Sequence, residues 1–140
     1  MTASPTRESR ERLKFADFSF SADASGQCST RVVLEWSPEM SYIGEAHGLA
    51  SSTGELRCAA EATVSALEKA VAGKVKLELL GVKAVRAFDS VVVIVSLSCH
   101  DGFAQRVVGS YLAADEVPRG AALAVLNATN RLLGNIVFAR

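Results

Sequence analysis

The sequence predicts an α+β domain built from two pseudo-repeated βββα units, with antiparallel strands covered by two helices. Three observations carry this reading. Tyr42 to Ala72 reads as a strand, a Ser/Thr/Gly turn and a capped helix, and Arg106 to Gly134 has the same grammar. Each stretch is preceded by a β-branched apolar segment, Arg31 to Trp36 and Val91 to Ser98. Setting Gly44 against Gly109, 65 positions apart (109 − 44), places Ala60 on Val125, Thr63 on Ala128, Val64 on Thr129 and Leu67 on Leu132. Two such units predict a six-stranded antiparallel arrangement with both helices packed on it.

Residues 1–12 are polar and mixed in charge, which predicts a flexible tail. Residues 13–140 then form one domain, with units at about 13–73 and 74–134 and an apolar tail at 135–140. Phe15, Phe18 and Phe20 mark a short first strand whose alternation is imperfect. Ser21 to Ser29 is rich in Ser, Ala and Gly and predicts a loop. In Arg31 to Trp36, the residues Val32, Leu34 and Trp36 share one face of a strand. Ser37-Pro38-Glu39 turns the chain into a strand at Tyr42 to Ala50. Gly44, Ala46, Gly48 and Ala50 lie on one face of it, which predicts close approach by another backbone or by a ligand.

Ser52-Thr53-Gly54-Glu55 matches a capping box, with Ser52 as the cap. The helix that follows carries Leu56, Ala60, Thr63, Val64, Leu67 and Val71 on one stripe and stops at Gly73. Val75 to Phe88 predicts a long strand bent or bulged at Gly81, closed by a turn at Asp89-Ser90. Val91 to Cys99 is apolar on both faces and predicts a central strand. A turn at His100-Asp101-Gly102 leads to a strand at Arg106 to Leu112. Pro118 suits the first turn of the last helix, whose apolar stripe is Ala122, Val125, Leu126, Thr129 and Leu133. Gly134 is expected to end it, leaving Ile136-Val137-Phe138 as an edge strand or a contact with a partner.

The composition bounds the function. With 140 residues, 49% hydrophobic and 21% charged, the chain is a single globular domain. Lys+Arg and Asp+Glu are both 15, so the net charge is zero. That balance argues against nucleic acid or an acidic membrane as a partner, and it favours self-association, here a homodimer. Cys28, Cys58 and Cys99 are odd in number and far apart in sequence, as expected of reduced thiols in a cytoplasmic protein. The N-terminus has no apolar core of a secretory signal, and the run Val91 to Val95 is too short to cross a bilayer.

The candidate ligand-binding residues are Gly48, Ser51, Ser52, Thr53 and Gly54 in the turn entering the first helix, with Asn127 and Asn130 on the second. Helix starts attract carboxylates and phosphates through their N–H groups. Asparagine is a poor interior helix residue, so two in one turn suggest hydrogen bonds to a ligand or across a subunit contact. The competing reading is ordinary cap chemistry and a solvated helix face. The turn is no phosphate-binding loop, because no Gly-Lys-Ser/Thr follows it. Cys99, His100, Asp101 and His47 suggest a metal or a nucleophile, but no metal site and no cofactor are expected. Only Cys99 and His100 are clustered, and neighbours on a strand point to opposite faces. Cys28 and Cys58 read as isolated buried thiols.

The doubled pattern resembles the C-terminal regulatory domain of the α-isopropylmalate synthase family. The local resemblance lies in Gly48 to Leu67 (GLASSTGELRCAAEATVSAL) and in Ala121 to Leu133 (AALAVLNATNRLL). Two features depart from the family: Gly54-Glu55 stands where it has Gly-Pro, and Pro118-Arg119-Gly120 replaces its acidic helix opening. The resemblance implies a dimeric, non-catalytic domain that binds an amino-acid-like or organic-acid effector between its units. An alternative is a dimeric scaffold resembling the roadblock family, partners of small GTPases, which requires an α-β-β-α-β-β-β-α order with a helix in the N-terminal segment. A third reading is a small enzyme using Glu45, His47 or His100 in a dimer cleft.

Overall fold

The computed structural model describes residues 13–37 and 40–138. Its elements run β1 (Lys14–Ala22), β2 (Gln27–Ser37), β3 (Met40–Leu49), α1 (Ser52–Ala70), β4 (Lys76–Ala87), β5 (Ser90–His100), β6 (Ala104–Ala113) and α2 (Val117–Phe138). The expected order βββα-βββα is borne out. The strands, however, divide into two separate three-stranded antiparallel sheets, β1-β2-β3 and β4-β5-β6. Helix α1 lies on β2 and β3 and also touches β4 and α2, while α2 lies on β5 and β6. The predicted tail at 1–12 and the turn residues Pro38 and Glu39 lie outside the described residues.

The two sheets share one register. Phe18, Val32 and Gly44 form a cross-strand row in the first sheet. Val82, Val95 and Gly109 form the matching row in the second. At both glycines a helix backbone lies against the strand. A Cβ on Gly44 would overlap the Ala62 carbonyl and come within 2.5 Å of the Ala66 nitrogen. A Cβ on Gly109 would overlap the Ala124 carbonyl and come within 2.6 Å of the Ala128 Cα. The close approach expected on β3 is therefore made by a helix of the chain itself. These contacts pair Ala62 with Ala124 and Ala66 with Ala128, an offset of 62 (128 − 66) where the sequence alignment used 65. The second unit reaches its helix by a shorter path, which a gapless alignment cannot show.

The core lies between sheets and helices. Val32, Leu34, Val93, Val95 and Leu97 are fully buried under Leu67, Val125 and the alanines of both helices. Each large apolar side chain removed from water contributes on the order of 1.5–3 kcal/mol. Helix α1 buries more than the predicted stripe: Cys58, Ala59, Ala62, Ala66 and Ala70 are covered as well. It has a sheet on one side and α2 on another, and alanine lets both backbones come close.

Several boundaries differ from expectation. Most of the predicted loop Ser21 to Ser29 is strand, and only 23–26 turn. Asp23 Oδ1 accepts from the backbone N–H groups of Ser25 (3.0 Å) and Gln27 (3.1 Å), closing a tight hairpin, and Ser21 and Ser29 share a hydroxyl hydrogen bond across it (3.1 Å). The imperfect alternation of β1 is a bulge: the register shifts between Phe15 and Asp17, which turns Phe15, Phe18 and Phe20 to one face. The bulge expected near Gly81 is present between Leu79 and Gly81. Helix α2 does not end at Gly134 but runs to Phe138, so the expected edge strand at 136–138 is helix. A glycine inside a helix costs only about 1 kcal/mol relative to alanine and does not stop it. Three strands precede α1, whereas the roadblock order has two.

Candidate functional site

The turn from β3 into α1 forms one wall of an open groove of about 330 Å³, lined by His47, Gly48, Leu49, Ser51, Thr53, Gly54, Arg57, Cys58 and Glu61. Four of the seven predicted residues line it: Gly48, Ser51, Thr53 and Gly54. Ser52 is in the first turn of α1 but is not part of the lining. Asn127 and Asn130 belong to α2 of the other unit and do not line it either.

The capping residue is Ser51, not Ser52. Ser51 Oγ accepts the Gly54 N–H at 3.0 Å, and its carbonyl accepts the Glu55 N–H at 2.8 Å. The motif reading was one residue late because Ser51 and Ser52 are chemically equal; the difference is which of them keeps an extended backbone. The Gly54 N–H is thereby taken by the protein rather than offered to an anion. Gly54 is also required by packing, since a Cβ there would overlap the Leu49 carbonyl. Gly48 is different: a Cβ there would meet Gly54 O at 3.7 Å and Cys58 Cβ at 3.9 Å, ordinary contacts. Its missing side chain opens the groove rather than relieving a clash.

Sequence reasoning missed His47, Leu49, Arg57, Cys58 and Glu61 as groove residues. Arg57 and Glu61 are one helical turn apart and form an ion pair of 3.1 Å on a half-exposed face. Such a pair contributes about 0.3–0.5 kcal/mol, so a carboxylate ligand can compete with Glu61 for Arg57 at small cost. Residues 57, 58 and 61 fall on the face of α1 just after its cap, and helical spacing from Ser51 could have found them. The groove therefore sets the Arg57–Glu61 pair beside the start of α1.

Asn127 has a structural partner. Its Nδ2 donates to the Ser110 carbonyl at 2.7 Å and ties α2 to β6. Asn130 is exposed.

The thiols are all free and buried. Cys99 faces the core while His100 is exposed on the opposite face and shares a hydrogen bond with Ser98 Oγ (3.1 Å), so they make no dyad. Burial, and then the Asp101 charge, raise the Cys99 pKa. Cys28 is pushed up to about 11, first by burial and then by a hydrogen bond with the Cys58 side chain. Cys28 and Cys58 are thus neighbours in space, not isolated as the sequence suggested. Among the described residues, no three His, Cys, Asp or Glu side chains converge on a metal-sized site. Among them, too, no helix is long and apolar enough to cross a membrane. Compared with protein-family models and with curated proteins, the chain matches none.

Proposed function

We propose that the chain is a non-catalytic module that forms a homodimer and senses a small organic-acid or amino-acid-like effector. The observation that carries the dimer is the outer face of the second sheet. Val108 and Leu112 are 62% and 61% exposed there, beside Ile94 at 36% and the half-buried Val92. The first-sheet positions that match Ile94, Val92 and Leu112 are polar, whereas Val108 matches the apolar Ile43. Arg31 and Glu45 form a 3.6 Å ion pair where the second sheet has Ile94 and Ser110, and Ser29 faces His47 where it has Val92 and Leu112. One scaffold therefore tolerates polar residues at these positions, and the fold does not require the apolar ones. A contiguous apolar face of this kind favours contact with another protein surface. A zero net charge removes the repulsion that would keep two copies apart.

The effector reading rests on the groove beside Ser51, where Arg57 and the start of α1 suit a carboxylate. The non-catalytic reading is supported by Cys99, whose raised pKa keeps this candidate nucleophile protonated at neutral pH.

Light scattering at micromolar concentration tests the dimer. Wild type is expected at twice the monomer mass, and Val108→Lys with Leu112→Lys at the monomer mass with unchanged circular dichroism. A monomeric wild type sinks the reading. A thermal-shift screen of amino acids and organic acids tests the effector. A ligand at 100 times its Kd adds about 2.7 kcal/mol of stability, and Arg57→Ala should remove that gain.

A further inference from the structure

Cys28 and Cys58 are buried nucleophilic groups that the reading above leaves without a role. Cys28 lies on β2 directly across from Gly48 on β3. Gly48 has no side chain, and the place its Cβ would take lies 3.9 Å from Cys58 Cβ on α1. Cys58 leans through this gap toward the sheet. Its sulfur lies 3.2 Å from the Ala46 carbonyl and 3.9 Å from the Cys28 carbonyl, and Thr30 Oγ1 donates to it at 3.2 Å. The Cys28 thiol donates to the Leu49 carbonyl at 3.3 Å. The Cys58 sulfur on α1 thus sits over the backbone of Cys28 on β2, and Cys58 lines the groove that opens to solvent.

We propose that Cys28 and Cys58 are a dithiol modification site, at which a peroxide entering through the groove produces an intramolecular Cys28–Cys58 disulfide. The Cys58 thiolate attacks one peroxide oxygen. The O–O bond breaks, the departing oxygen takes a proton and leaves as water, and Cys58 becomes a sulfenic acid. The Cys28 sulfur then attacks the Cys58 sulfur, the S–O bond breaks, and hydroxide leaves as a second water with the proton that Cys28 releases. Two thiols lose two electrons, and one peroxide is reduced to two waters.

The bond joins residues 30 positions apart (58 − 28) and staples β2 to α1 across β3. Closing that loop restricts the unfolded chain and stabilises the fold. It also ties down a residue of the groove. Burial and the Leu49 carbonyl that accepts its proton hold Cys28 as a thiol, so its attack is slow at neutral pH and faster in alkali. The charged and titratable groups around it are Glu55, Arg57, Glu61 and His47. Cys99 lies on the other sheet and serves as the internal control.

The test treats the full chain with hydrogen peroxide under native conditions, followed by non-reducing peptide mapping and thiol titration. The expected result is a Cys28–Cys58 cross-linked peptide, a free Cys99, loss of two titratable thiols, and reversal by dithiothreitol with a return of the raised melting temperature to its starting value. Cys99→Ser should keep the cross-link. Cys28→Ser should leave a sulfenic acid on Cys58 that dimedone traps. A cross-link containing Cys99 would overturn the proposal. So would irreversible oxidation of Cys58 in wild type with no cross-link, or native protein in which Cys28 and Cys58 both stay free.

Discussion

Gly109 on β6 lies so close to Ala128 on α2 that a Cβ on the glycine would come within 2.6 Å of the alanine Cα. The contact is backbone against backbone, so no side-chain rotation can relieve a larger residue. Gly109→Ala should destabilise the protein by about 1–3 kcal/mol, the usual cost of overpacking a core. Gly81→Ala is the control, because nothing lies within 4 Å of its Cβ position and its φ is not left-handed. It should be neutral or stabilising by up to about 1 kcal/mol. Urea midpoints of the two variants check the contrast; equal losses would refute it.

The helix cap separates two adjacent serines. Ser51→Ala removes the 3.0 Å bond to the Gly54 N–H and should cost about 1 kcal/mol. Ser52→Ala removes no cap and should stay within about 0.5 kcal/mol of wild type. Thermal melts of the two single variants decide between them, and a larger loss for Ser52→Ala would restore the original motif reading.

The β4–β5 hairpin turns through two left-handed residues that are not glycine, Phe88 (φ 54°) and Asp89 (φ 60°). Phe88 is 96% exposed, so its ring contributes no packing to offset the strain. Replacing Phe88→Asn and Asp89→Gly supplies the residues such a turn prefers and should stabilise the protein by about 1 kcal/mol. A lower urea midpoint for the double variant would show that Phe88 has packing not visible in the monomer.

Cys28 links stability to alkaline pH. Its pKa rises from 9.0 in an unstructured chain to about 11 in the fold, mainly through burial. The folded state therefore holds the proton more tightly. That stabilisation is fully present below pH 9 and is lost as the pH climbs through about 11. The melting temperature of wild type should fall more steeply over this window than that of Cys28→Ser. Parallel curves would count against a buried, protonated thiol.

Much of the fold was legible because it rests on local periodicity. Alternation marked β2 and β5, and helical stripes marked α1 and α2, since each element shows its buried face in the order of its residues. The bulge in β1 was visible only as a broken alternation at Phe15 and Phe18. The site was less legible. Gly48, Ser51, Thr53 and Gly54 came from turn chemistry, but Arg57 and Glu61 required knowing how α1 sits over β3. Asn127 looked like a ligand residue because a sequence cannot show that the Ser110 carbonyl lies beside it.

By itself, the sequence determined the two βββα units, the zero net charge and the alignment of Gly44 with Gly109. These follow from side-chain size, charge and spacing, which are properties of the chain before it folds. Only the tertiary structure decided that the strands split into two sheets, that the second sheet leaves Val108 and Leu112 bare, and that Cys28 meets Cys58. Each depends on residues far apart in sequence coming together. Such contacts are settled by packing and register across strands, and no local pattern encodes them.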